Sequence, residues 1–214
     1  MGVICLPYLI FPSVYLRKPV NIWIIGIFKL LGLICHISYE IKGIDKIPKK
    51  AVIIASKHQS AFETLAFFLH IKNSIFIHKK QLFWIPIFGQ YLQKVNMISI
   101  NRSEGTKAMR TMLKQAKQKI INGNSIIIFP EGTRKKPGDP PDYKTGIAGI
   151  YKETETEISP VALNSGYCWP KHTFIKQSGH ITIQLLDLIP AKLGRSELLK
   201  KIESIIEEET NKII

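Results

Sequence analysis

A histidine and a carboxylate stand five positions apart in Lys57-His58-Gln59-Ser60-Ala61-Phe62-Glu63, directly after an apolar run over residues 51–56. An imidazole can take a proton from a hydroxyl as that hydroxyl attacks, and a carboxylate on its other nitrogen fixes the tautomer and stabilises the imidazolium. On a continuous helix Glu63 would lie about 140° around from His58, out of reach of the ring. The pair can meet only if His58 sits in a loop ahead of a helix that carries Glu63. Ser60 and Glu63 also match the S-x-x-E capping box, which would simply start a helix. The two readings are compatible, because a capped helix start is what would keep Glu63 near His58.

A second cluster, Phe129-Pro130-Glu131-Gly132-Thr133-Arg134, follows the run 125–128 and precedes a loop rich in Lys, Pro and Gly. Such a turn exposes backbone N–H groups and a guanidinium, a natural cradle for phosphate. Read alone, it is a tight turn after a buried strand. A looser set comprises Lys79, Lys80, Pro86, Gly89 and Arg102: two lysines before a hydrophobic loop and an arginine after a strand. Singly, each would be a surface charge or a turn residue.

These groups need elements to position them. Beyond Pro48, short β-prone runs alternate with helical stretches, the pattern of a layered α/β domain. Strands are expected over 51–56, 74–78, 95–100, 125–129, 158–163 and 181–186, and helices over 61–69, 106–121 and 196–212. In the helix 106–121, Ala108, Met112, Leu113, Ala116 and Ile120 form one face, and Lys107, Arg110, Lys114, Lys117 and Lys119 form a solvated basic face. The last helix pairs an apolar stripe with many glutamates, which predicts that it faces away from an anionic surface.

The amino-terminal region has a different character. Residues 3–16 form an apolar stretch too short to span, about 21 Å as a helix against a hydrocarbon core of about 30 Å. After Arg17, Lys18 and Pro19 comes a second apolar segment, 20–39, in which Asn21, Lys29 and His36 fall within an arc of about 80°. Basic residues flank it on both sides, which by the positive-inside rule puts both ends on the cytoplasmic face. The expected fold is therefore α/β, a mixed sheet flanked by helices in residues 41–214, preceded in residues 1–40 by a two-helix membrane-associated segment.

The formal charge of +14, from 30 Lys and Arg against 16 Asp and Glu, predicts attraction to phosphate-bearing partners. Nucleic acid is not expected, for want of any recognition motif. Cys5, Cys35 and Cys168 are scattered and odd in number, so neither a disulfide framework nor a metal site is expected, and a reducing compartment fits.

Together these segments resemble the glycerophospholipid acyltransferase family, especially the bacterial 1-acylglycerol-3-phosphate acyltransferases. Four blocks stand in the family's order and spacing: His58 to Glu63, Lys79 through Arg102, Phe129 to Arg134, and Ile158-Ser159-Pro160-Val161. The family's His motif usually ends in Asp, and this chain has Glu63. The resemblance implies transfer of a fatty acyl group from a thioester, acyl-CoA or acyl-carrier protein, to the sn-2 hydroxyl of lysophosphatidic acid, giving phosphatidic acid. It implies His58 as base, Glu63 as its partner, and a phosphate site built from Arg134, Arg102 and Lys79 or Lys80, shaped by Glu131, Gly132 and Thr133. It implies no permanently bound cofactor, and a place on the cytoplasmic face of a bacterial inner membrane. Glycerol 3-phosphate, another lysophospholipid or a lyso-ornithine lipid are alternative acceptors. A non-catalytic protein that binds anionic lipid is the alternative of another class.

Overall fold

The computed structural model describes Ile10 and residues 12–86 and 88–214, apart from the side chains of Ser13, Val14, Phe88 and Arg102. Most of the apolar stretch 3–16, Cys5 included, lies outside the described residues. The chain runs α1 (Ser13–Cys35), β1 (Ile37–Lys42), β2 (Ile53–Ser56), α2 (Phe62–His70), β3 (Ser74–Lys79), α3 (Phe88–Lys94), β4 (Ile98–Ile100), α4 (Gly105–Ile121), β5 (Ser125–Ile128), α5 (Gly146–Thr154), β6 (Ile158–Leu163), α6 (Ser165–Cys168), β7 (Gly179–Leu185) and α7 (Arg195–Lys212). The strands form one sheet in the order β1-β7-β6-β2-β5-β3-β4. Every neighbouring pair is parallel except β6 with β7, so the sheet is mixed, as expected.

Both faces of the sheet are covered, which is why every residue of β2 and β5 is buried and isoleucine fills five of their eight positions. The strand's two-residue period divides them between two cores. Val52, Ile54 and Ile127 pack with Phe62, Ala66 and Phe67 of α2 and with Ile24, Phe28 and Leu31 of α1. Ile53, Ala55, Ile126 and Ile128 pack with Met112 and Ala116 of α4, Ile147 and Ile150 of α5, and Leu198, Ile202 and Ile206 of α7. The apolar positions of α4 and α7 recur every four residues, so each buries one stripe and leaves its charged face in water.

The amino-terminal segment departs from expectation. Among the described residues there is one apolar helix where two were expected, and α1 passes straight through Arg17, Lys18 and Pro19. Proline inside a helix removes a hydrogen bond and crowds the preceding turn. Here Leu16, Ile24, Phe28 and Leu31 are buried on both sides of it, so packing against the sheet outweighs the break. Arg17 is no loop charge either. Its guanidinium donates to the carbonyls of Phe68 and Ile71, each at 2.9 Å, and lies 5.1 Å from the centre of the Phe68 ring. It therefore caps the carboxyl end of α2, where carbonyls lack helical partners.

The second expected helix also ended too late. His36 adopts a left-handed conformation, φ 52°, and residues 37–42 pair with β7 as strand β1. The other six expected strands are present; α3, α5 and α6 were not anticipated. The outward face of α1 keeps Ile22, Ile25, Leu30, Leu33 and Ile34 exposed. At about 35 Å it has the length of a spanning helix, and its composition allows one. An apolar helix of this kind suggests membrane association, though one face is committed to the core.

Replacing Arg17 by methionine is expected to lower unfolding stability by about 1–3 kcal/mol, the scale of hydrogen bonds from a charged donor. Lysine should restore only part of this, because its shorter stem and strongly hydrated ammonium reproduce neither the reach to both carbonyls nor the planar contact with Phe68. Chemical unfolding in detergent micelles, followed by circular dichroism, checks both; equal stability of wild type and Arg17→Met would remove the capping role.

Candidate active site

The sheet order brings distant segments to one edge. β2 is central, with β5 and β6 as its parallel neighbours, and Ala55 pairs with Ile128 on one side and Pro160 on the other. β2 and β5 end at or just past those positions and β6 continues to Leu163 before it too leaves the sheet, all three at their carboxyl ends, where ligand sites of open α/β sheets form. His58 and Glu131 each lie three residues beyond the Ala55–Ile128 pair, and Ser165 follows β6.

His58 is in the loop before α2, and the chain curls so that Glu63, in the first turn of that helix, comes back beneath it. The His58 Nδ1 and Glu63 Oε1 are 2.8 Å apart. The Glu63 side chain has no solvent exposure, while that of His58 keeps 17%. A buried carboxylate needs its lone pairs filled. Oε1 also accepts the backbone N–H groups of Gln59, at 2.9 Å, and Ser60, at 2.7 Å, and Oε2 accepts the Ser165 hydroxyl at 2.7 Å. The reach of Glu63 back to Ser60 is half of a capping box. The other half differs, since Ser60 Oγ accepts from the Phe62 N–H. With Nδ1 donating to the carboxylate, Nε2 holds the lone pair, the tautomer a general base requires. The ring lies flat on Phe129, centroids 3.9 Å apart at 16°.

Glu131 lies behind this loop. Its side chain is fully buried, and Oε2 accepts the His58 backbone N–H at 3.3 Å. Burial pushes its carboxyl above the usual range, and the nearby Lys57 ammonium pulls it back. Glu131 thus braces the histidine's backbone. The carbonyl of His58 accepts from the Lys135 N–H at 2.8 Å, and the turn between is made possible by Gly132 at φ 65°.

In front of His58 a cavity of about 840 Å³ runs into the domain. Its polar lining includes His58, Gly132, Thr133, Arg134, Lys144 and Lys79, and among the described residues no Asp or Glu lines it. The rest of the lining is mostly apolar and includes Phe76, Leu92, Met97, Ile100, Met109 and Met112, with Leu16, Val20, Trp23 and Ile24 of α1. Lys80 is exposed and does not line the cavity. Arg102 lies in a 3-10 turn after β4, and its side chain lies outside the described part. Gly89, expected in a hydrophobic loop, lies in the first turn of α3, so close to the Phe83 carbonyl that a Cβ would meet its oxygen at 2.1 Å, which accounts for a glycine there.

A second imidazole on the cavity wall, His78, is a poorer base. Its Nδ1 donates to the Lys79 carbonyl at 2.9 Å, which offers the imidazolium no charge, and burial lowers its pKa. Sequence reasoning missed Lys57, Ser165 and Gln59, whose Oε1 accepts the Gly166 N–H at 3.0 Å. Lys57 had a signal in its place beside His58. Ser165 had none, because its contact with Glu63 depends on which strand neighbours β2.

With this geometry in hand, comparison with known proteins is informative. A family model described as Acyltransferase matches residues 38–164. A 1-acyl-sn-glycerol-3-phosphate acyltransferase of Pseudomonas aeruginosa is 32% identical over 177 residues, covering 83% of this chain and 68% of that protein. A protein of the same name from Cocos nucifera is 30% identical over 145 residues, covering 67% of this chain. The chain spans about half the length of that plant relative, 47%. The crystal structure of a 1-acyl-sn-glycerophosphate (LPA) acyltransferase from Thermotoga maritima superposes with a TM-score of 0.78 at 22% identity, covering 94% of this chain and 80% of that one, which shows a shared fold.

Ser165→Ala would leave Glu63 Oε2 buried with one donor fewer. A loss of about 1–3 kcal/mol in unfolding stability is expected, the cost of an unsatisfied buried group. Denaturant titration measures it, and an unchanged midpoint would mean that Oε2 finds another partner.

Proposed function

The chain belongs to the acyltransferase family, and on that premise we propose that it moves a fatty acyl group from acyl-CoA or acyl-carrier protein to the sn-2 hydroxyl of lysophosphatidic acid. The observation that carries this reading is the imidazole whose Nδ1 is held by a buried carboxylate while its ring faces a long, mostly apolar cavity. Family membership implies an acyl donor, for which we propose these two thioester classes. The acceptor is the one that the name of the Pseudomonas aeruginosa relative specifies.

His58 Nε2 takes the proton of the acceptor hydroxyl as its oxygen attacks the thioester carbonyl. The new C–O bond forms, the C–S bond breaks, and the thiolate leaves with the proton returned from the imidazolium. Glu63 stabilises that transient cation and keeps the ring from turning. No covalent enzyme intermediate is required. Arg134 and Lys79 in the cavity's polar lining, with Lys80 and Arg102 on the adjoining turns, hold the acceptor's phosphate, and Gly132 and Thr133 shape the turn that presents Arg134. The apolar walls take an acyl chain. Because α1 contributes both an exposed apolar face and part of the cavity wall, a lipid can pass from a bilayer to His58 without crossing water. The proposed location is the cytoplasmic face of a bacterial inner membrane, and the exposed apolar face of α1 supports the membrane association that this requires.

The test is acyl transfer from labelled acyl-CoA and acyl-carrier protein to lysophosphatidic acid, glycerol 3-phosphate and lyso-ornithine lipid by the wild type and His58→Ala. Transfer to lysophosphatidic acid that falls by about 10²–10⁴ in His58→Ala is expected from loss of a general base. Preference for another acceptor would change the substrate and keep the chemistry; transfer unaffected by His58→Ala would sink the mechanism.

Glu63→Gln separates geometry from charge. Its amide oxygen can accept the same donors as Oε1, and its NH₂ can donate to Ser165 Oγ. A kcat loss of about 10² or more with stability close to wild type is expected if the carboxylate stabilises the imidazolium. Steady-state kinetics beside thermal unfolding decides; a kcat within twofold of wild type would make Glu63 a structural cap only.

A further inference from the structure

A lysine beside the catalytic histidine is almost wholly buried. The Lys57 side chain keeps 3% exposure and lies on the side of the loop opposite the cavity. Its ammonium bonds both carboxylate oxygens of Glu207, which is 150 residues away on α7. Glu207 Oε1 also accepts the Tyr143 hydroxyl at 3.0 Å. Tyr143 precedes Lys144, whose N–H donates to the Pro130 carbonyl at 2.9 Å and whose side chain lines the cavity. One carboxylate on the last helix therefore ties together the loop after β2 and the loop after β5.

Taking both charges out of water is costly, and well-packed apolar residues often serve stability as well or better. The arrangement around Glu131 indicates what the pair does instead. Lys57 Nζ stands 4.0 Å from Glu131 Oε1, too far for a hydrogen bond, and that oxygen has no hydrogen-bond partner among the described residues. The other oxygen, Oε2, holds the His58 backbone N–H. A lysine free of Glu207 would close on Glu131, form a direct ion pair and draw the carboxylate away from His58. Glu207 prevents this by holding the ammonium back, 4.0 Å from Glu131 Oε1.

We propose that Glu207 on the carboxyl-terminal helix is a positioning residue for His58, acting through Lys57 and Glu131. It touches no part of the cavity. The proposal rests on the acyl-transfer reading for its kinetic readout, and a spectroscopic readout frees it from the choice of substrate.

The experiment uses the full chain in detergent micelles with mixed lysophosphatidic acid, comparing wild type, Glu207→Gln and the double variant Lys57→Met/Glu207→Leu. In Glu207→Gln, kcat is expected to fall about tenfold to a hundredfold, the effect of displacing a reacting group by a fraction of an ångström to an ångström, with KM for both substrates unchanged. The double variant replaces the ion pair by apolar side chains, but Glu131 loses its neighbouring ammonium and Tyr143 its acceptor, so it should stay folded, melt somewhat below wild type and stay as slow as Glu207→Gln. A double variant that regains the wild-type kcat would show the pair to be a fold element only and overturn the proposal, as would a wild-type kcat in Glu207→Gln. Imidazole ¹⁵N resonances, with His58 assigned by its absence in His58→Ala, report the ring directly. A shifted His58 signal in Glu207→Gln is expected even if wild type acylates a different lipid or none; an unmoved signal overturns the positioning role independently of the acyl-transfer reading.

Discussion

The Glu63 carboxylate is the interaction on which the rest of the site depends. It is removed from water, so it must collect enough donors to remain charged. It finds them in two backbone N–H groups, the His58 ring and the Ser165 hydroxyl. Satisfying that one group forces the loop to curl over the start of α2, sets the imidazole's orientation, and requires β6 to lie beside β2 so that Ser165 is within reach.

The strand order turns this local demand into a site. Because β5, β2 and β6 are parallel neighbours, their exits converge, and the register places Glu131 level with His58. A helix on each face then does a second task. α4 contributes Met109 and Met112 to both core and cavity wall, and α1 contributes Leu16 and Ile24 in the same way. The cavity is a gap in the packing at the sheet's carboxyl edge, bounded by the elements that stabilise the fold.

What could be read in the sequence was local. Six strands and three long helices follow from periods of 2 and 3.6, and the S-x-x-E spacing of Ser60 and Glu63 correctly anticipates a helix start. The failures lie where tertiary contacts outweigh local signals. Pro19 reads as a break until Leu16 and Ile24 are seen to be buried on the same stripe, and residues 37–39 read as helix until β7 offers a strand partner. Arg17 reads as an interhelical charge until the end of α2 is set against it. Ser165 and Glu207 are 102 and 150 residues from their partners, so no window of sequence contains both halves of either contact.

The distribution of charge follows from the same constraints. The chain carries a formal +14, yet the volume directly behind the histidine is acidic, with Glu63 and Glu131 fully buried and Glu207 sharing Lys57 between them and the last helix. All of these carboxylates point at donors on the far side of the loop, and among the described residues none lines the cavity. On the proposed reading, a phosphate approaching His58 would meet Arg134, Lys79 and Lys144 without a facing anion, in a setting where apolar walls leave those cations poorly screened. Carboxylates hold the His58 ring and backbone, but exposed on the cavity side they would repel such an acceptor. Burying them behind the loop, with Glu63 and Glu207 turned to N–H, O–H and ammonium groups and Glu131 turned to the His58 N–H, meets both requirements, and the covering helices α2 and α7 are what make that burial possible.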